Sequence, residues 1–118
     1  MSITTLRIKK EYKDKLEIAA KWYSIMSILN DFSLAPLDIH IIAFTAVEGN
    51  ISSGGKKDRF CELFNYAKGS VTNTISELVK KGFLVKDTRK IKVHPQLVLD
   101  FNNSILLQLN ISSIAVGT

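Results

Sequence analysis

The side chains of this 118-residue chain that could do covalent or metal chemistry are one cysteine, two histidines and eleven carboxylates. A thiol acts as a nucleophile when a base stands beside it. Cys61, in DRFCELF, instead falls at a core position of a short helix, where a thiol packs as a small apolar group. His40 lies in the apolar stretch LDIHIIAFTAV and His94 ends a strand-like one. With no cysteine or carboxylate paired to them at ligand spacing, neither points to a metal. The carboxylates are scattered, and no two are placed as a general acid and base. NISSGGKK (50–57) carries glycines and lysines but meets the phosphate-loop spacing G-x-x-x-x-G-K-[ST] in no register, and no strand precedes it. These residues therefore predict a protein that is not an enzyme and takes no cofactor and no metal.

The polar residues that do fall into a pattern lie between Asp58 and Pro95, in DRFCELFNYAKGSVTNTISELVKKGFLVKDTRKIKVHP. Val71, Ile75, Leu78 and Val79 recur at helical spacing and predict a helix over 68–81, closed by Gly82. Its open side would carry Lys68, Gly69, Ser70, Thr72, Asn73 and Ser76. The chemistry available there is hydrogen bonding. A helix N-terminus offers unpaired N–H groups and partial positive charge to phosphate. Gly69 allows close backbone approach, Asn73 can make a paired hydrogen bond to an adenine edge, and Ser or Thr can serve several bases. The helix has no arginine and so lacks the strongest guanine contact, which predicts A/T preference or weak discrimination. Beyond it, Phe83-Leu84-Val85 and Ile91-Lys92-Val93 flank Lys86–Lys90, a hairpin with a charged tip. Lys86, Arg89, Lys90 and Lys92 concentrate positive charge there, and an arginine such as Arg89 is the side chain that suits a narrow A/T groove.

Charge supports that partner. Residues 1–22 carry a net +3 and residues 56–92 a net +6, whereas 23–55 and 93–118 contain no lysine or arginine. Confinement of positive charge to two segments favours a polyanion, although charge alone fits equally a small basic protein kept in solution by its charge.

The elements that must position this surface follow from periodicity and punctuation. Residues 3–8 read as a weak strand or coil, and a long helix is expected from about Lys10 to Leu29, with an apolar face widening toward its end. Asn30-Asp31-Phe32-Ser33 breaks it. A second helix should run from Pro36 to Glu48, opened by proline and closed by Gly49, and apolar nearly all round as a central helix would be. NISSGGKK reads as a flexible loop. Asp58 would cap a helix through about Asn65, with Phe60, Cys61 and Phe64 inward and Arg59 and Glu62 outward. Tyr66-Ala67 makes the turn. After Pro95, QLVLDF suggests a helical turn, and the alternation over 104–112 has the period of a strand. Such an uncharged strand should pair with something.

Residues 34–95 resemble a winged helix-turn-helix of the MarR type or of phage and plasmid replication initiators. LAPLDIHIIAF resembles the family's second helix, here with Ala35 where Ser or Thr commonly precedes the proline. KGSVTNTISELVKKGFLVK resembles the recognition helix running into the wing, with the ending L-x-x-K-G-[FL]-[LIV] the most telling part. The long first helix and the uncharged C-terminal segment lie outside the resemblance. What the resemblance implies is a mainly α fold with a small β-wing: 1–33 a strand or coil and long helix, 34–95 the winged core, and 96–118 an apolar oligomerisation segment. Lys68, Gly69, Ser70, Thr72, Asn73 and Ser76 would then meet the major groove, and the tip residues the phosphates or minor groove.

The functional expectation is a sequence-tolerant or A/T-preferring double-stranded DNA-binding protein. It would be a small transcriptional regulator, or a replication or packaging accessory, of prokaryotic or phage origin. The alternative is a protein-interaction or structural module of the same fold, such as a phage virion component. MarR-type proteins dimerise through terminal elements, so Trp22 and Met26 with Ile105, Leu107, Leu109 and Ile111 are the expected contacts of a homodimer or larger homo-oligomer. No apolar run approaches the ~18 residues that span a bilayer, and the early charges of MSITTLRIKKEYK do not suit a secretory signal. The expected location is the cytosol.

Overall fold

The chain folds around a helix with almost no polar face. In the computed structural model, which describes residues 5–9, 11–99, 101, 106 and 108, that helix is α2 (Pro36–Glu48). It buries Ile39, Ile41, Ile42, Ala43, Phe44 and Thr45. The only hydroxyl among them, Thr45 Oγ1, donates to the Ile41 carbonyl at 2.6 Å and so is not left unpaired. Pro36 opens α2, and Gly49, at φ 88°, closes it in the left-handed conformation that glycine tolerates best. Ala35 has no side chain with which to cap, so only the reciprocal contact survives: its N–H donates to Asp38 Oδ2 at 2.8 Å.

Three helices and a hairpin surround α2. The first, α1 (Lys15–Leu29), packs along it through Leu16, Ala19 and Tyr23. It starts five residues later than the apolar periodicity suggests, because Asp14 sets the boundary. The Asp14 carboxylate accepts from the Glu17 N–H at 3.0 Å, and Glu17 Oε2 reaches back to the Lys13 N–H at 2.7 Å. Two N–H donors at the helix start are thereby satisfied, which fixes its first turn. Residues 5–9 form neither helix nor strand.

The next helix, α3 (Lys56–Phe64), also starts off the expected position. Gly55, at φ 71°, is its N-cap, and Asp58 falls inside the first turn, where a negative charge favours the helix dipole. Its inward residue Phe60 is completely buried and makes edge contacts with Phe44 (5.3 Å) and tilted contacts with Phe64 (4.9 Å). A fully buried aromatic ring of this kind contributes about 1.5–3 kcal/mol of transfer free energy. Cys61 is half-buried against this core, as its helical position suggests.

Asn65, at φ 59°, ends α3. Three residues later α4 (Lys68–Lys81) begins, burying Val71, Ile75 and Leu78 against α2 and α3. Gly82, at φ 88°, stops it. β1 (Leu84–Asp87) then pairs antiparallel with β2 (Lys90–Val93), in the register Leu84 with Val93, Val85 with Lys92, Lys86 with Ile91 and Asp87 with Lys90. The strands run closer to the tip than the sequence suggests, leaving Thr88 and Arg89 as the turn, with Thr88 at φ 62°.

NISSGGKK is not a free tether in this fold. Asn50 is buried and its Oδ1 accepts from the Ser52 N–H (3.1 Å), the Ser53 N–H (3.0 Å) and Ser53 Oγ (2.9 Å). Ile51 is completely buried, and its N–H donates to the Ile91 carbonyl at 3.1 Å. Ser52 Oγ accepts from the Ile91 N–H at 2.9 Å. The loop thus adds hydrogen bonds to β2 and ties the hairpin to the end of α2.

After β2, Pro95–Leu97 form a 3-10 turn one residue earlier than expected. Tyr23 Oη donates to the Leu97 carbonyl at 2.5 Å, and the Tyr23 ring meets Phe101 edge-on at 5.8 Å. Burial pushes the Tyr23 phenol far above its ordinary range, so it remains a donor here at any physiological pH. Of the expected 104–112 strand, Leu106 and Gln108 are described, exposed and outside any strand. Ile105, Leu107, Leu109 and Ile111 lie outside the described residues. The architecture is mainly helical with a small two-stranded antiparallel sheet.

A candidate polyanion-binding surface on the fourth helix and the hairpin

With Val71, Ile75 and Leu78 committed to the core, the helical repeat decides what the other side of α4 shows. Gly69, Asn73, Ser76 and Lys80 share the line opposite the buried one, at spacings of four, three and four, with Thr72 at its edge. Lys68, Gly69, Ser70, Thr72, Asn73 and Ser76 are all exposed, as the apolar periodicity predicts. No side chain caps the helix start: Ala67 is the N-cap, and the first carbonyl bond goes from the Val71 N–H to Ala67. The N–H groups of Lys68, Gly69 and Ser70 precede that bond and have no intrahelical partner.

The cations divide into held and unheld ones. Lys68 Nζ lies 3.0 Å from Asp58 Oδ1 across the α3–α4 turn. Lys92 Nζ lies 3.1 Å from Asp87 Oδ2 on the hairpin. Hydrogen bonding from Lys92, then its charge, holds the Asp87 carboxyl below the usual carboxylate range. Lys56 Nζ donates to the Glu48 carbonyl at 2.9 Å, compensating the end of α2. Arg59 pairs with Glu48 and covers the Phe44 ring at 5.5 Å. Among the described residues Lys86, Arg89, Lys90, Lys80 and Lys81 have no carboxylate within ion-pair distance and are exposed.

One cation escapes a reading of the sequence alone. Lys57, on α3, directs Nζ to Thr72 Oγ1 at 3.4 Å and so stands beside the open side of α4. Its signal is the KKDR run, but which of two adjacent lysines meets α4 depends on where α3 starts.

The turn between α3 and α4 is held from beneath. The His40 ring stacks on Phe64 at 4.5 Å, and Nδ1 hydrogen-bonds with the Tyr66 hydroxyl at 3.1 Å. Burial pushes the His40 pKa down, favouring the neutral ring. This contact places Tyr66 and through it the first turn of α4. Among the described residues no group of three or more His, Cys, Asp and Glu is arranged to hold a metal ion. Nor is any described helix long and apolar enough to cross a membrane.

The expected oligomer contacts on α1 are partly exposed. Trp22 and Met26 are half-buried, with Trp22 packed on the core, whereas Ile28 and Leu29 are exposed. Comparison of the chain with protein-family models, with curated proteins and with solved structures gives no match.

Proposed function

We propose that the protein binds double-stranded DNA as a winged helix-turn-helix, with α4 as the helix presented to the major groove and the β1–β2 hairpin as the wing. The observation that carries this reading is the composition of the one side of α4 that the core does not use. That side is uncapped and free of large apolar groups, bears Thr72, Asn73 and Ser76, and has Lys57 at its edge. The order α2, α3, turn, α4, hairpin supports the same fold, and the hydrogen bonds that Ile51 donates to and Ser52 accepts from β2 give the hairpin a fixed seat.

In this reading the uncapped N–H groups of α4 and Lys57 take phosphates. Asn73, Thr72 and Ser76 touch base edges, and Arg89 with Lys86 and Lys90 follows the backbone or enters the minor groove. Without arginine on α4, phosphate contacts supply most of the affinity, and A/T-rich sequence is preferred weakly. The protein acts by occupying DNA, as a regulator or as a replication or packaging accessory; it carries out no catalysis. A protein-docking module is the second reading, favoured by the exposed Ile28 and Leu29 at the end of α1.

Fluorescence anisotropy with a labelled duplex of mixed sequence at low salt separates the two. Saturable binding that weakens with added salt is expected. A flat titration at the lowest salt that keeps the protein in solution would eliminate DNA binding.

A further inference from the structure

We infer that Asp58 and Asp87 are counter-charges built into the proposed duplex-binding surface, each occupying one lysine of that surface and so keeping its grip on phosphate weak and readily reversed. The inference rests on the reading of α4 and the hairpin as that surface.

Residues 56–92 contain four carboxylates, Asp58, Glu62, Glu77 and Asp87. Among the described residues only two of these form ion pairs, and both partners belong to the expected DNA-contacting residues, Lys68 on the helix and Lys92 on the hairpin. Asp58 reaches Lys68 from the neighbouring helix, at the point where α4 presents its unpaired N–H groups. Asp87 stands on the hairpin face that the register assigns to Val85, Lys90 and Lys92: Lys90 is directly opposite, and Lys92 is two pairs further along, the next on that face. Thr88 Oγ1 donates to Asp87 Oδ1 at 3.3 Å, which keeps the carboxylate at the tip.

The fold does not need these pairs. Asp58, Lys68 and Asp87 side chains are each more than half exposed, and exposed ion pairs add little to stability because water and salt screen them. Their effect on a polyanion is larger. To reach a phosphate each lysine would have to leave its carboxylate unpaired in the negative potential of the duplex, so in the wild-type complex it stays with the carboxylate. An asparagine keeps the shape and removes that negative charge.

The test is duplex binding by anisotropy for the wild-type protein, Asp58→Asn, Asp87→Asn and the control Glu62→Gln, each checked for a wild-type thermal transition. Asp58→Asn and Asp87→Asn should each tighten binding roughly three- to tenfold at low salt. Each should also steepen the slope of log affinity against log salt by about 0.9, for one lysine newly placed on phosphate. Glu62→Gln changes net charge equally and should move affinity less and leave the slope alone. Folded variants that bind with wild-type affinity and slope, or a Glu62→Gln effect as large as the others, would overturn the counter-charge role while leaving DNA binding standing. If neither the wild-type protein nor any variant binds duplex, the DNA-binding reading falls and this inference falls with it.

Discussion

The Ile51 N–H donates to the Ile91 carbonyl at 3.1 Å, joining the loop after α2 to the second strand of the hairpin. Forty residues separate the two in sequence, and the bond closes the circuit that begins at α2 and passes through α3 and α4. Two consequences can be measured. The hairpin has a defined position relative to α4, and the loop that holds it should be a stability determinant.

Asn50 is the keystone of that loop, since its buried Oδ1 accepts three hydrogen bonds. Asn50→Ala leaves those donors unpaired and should cost about 1–3 kcal/mol. Urea unfolding followed by circular dichroism should show the midpoint moving down with the slope unchanged. A loss below a few tenths of a kcal/mol would mean that the loop does not anchor the hairpin.

Phe60 is the ring on which Phe44, Phe64 and Tyr66 converge. Truncating a fully buried phenylalanine removes its transfer free energy and leaves a cavity, so Phe60→Ala should cost about 3–5 kcal/mol. Small domains have little more than that to lose. The expected outcome is a chain largely unfolded at room temperature by circular dichroism, whereas a cooperative transition near the wild-type temperature would contradict the packing described.

His40 predicts a pH dependence whose sign follows from linkage. Its pKa in the folded chain is lowered, so the unfolded chain binds the proton first as pH falls. The stability that the neutral ring contributes is complete above the unfolded value, near 6.5, and is lost progressively as pH falls from there toward the lowered folded value. Denaturant midpoints measured between about pH 7 and about pH 5 should fall more steeply for the wild-type protein than for His40→Gln. Parallel curves would show that the imidazole does not sense the fold.

The elements best read from sequence are those whose punctuation is local. Pro36, Gly49 and Gly82 mark the ends of α2 and α4 because each conformational requirement lies in one residue. The exposed side of α4 follows from its apolar period for the same reason. The start of α1 is harder to read: apolar spacing continues upstream through Tyr12, and only the Asp14–Glu17 contact shows where the helix begins. Asp58 has the composition of an N-cap, yet two successive glycines in left-handed conformation start α3 earlier and turn that carboxylate toward Lys68. Pairings between elements, such as Lys57 with Thr72 or Asp58 with Lys68, depend on how helices cross, and no short sequence pattern encodes that.

If α4 and the hairpin hold phosphate, as proposed, duplex binding must depend steeply on salt. Affinity for a mixed-sequence duplex should fall linearly on a log–log plot against salt. The double variant Arg89→Ala/Lys90→Ala, which leaves the core untouched, should bind every sequence more weakly. If both side chains lie on phosphate, its slope should be shallower by roughly 1.8, about 0.9 for each phosphate no longer neutralised. Equal slopes for the two proteins, or wild-type binding indifferent to salt, would mean that these side chains do not lie on phosphate.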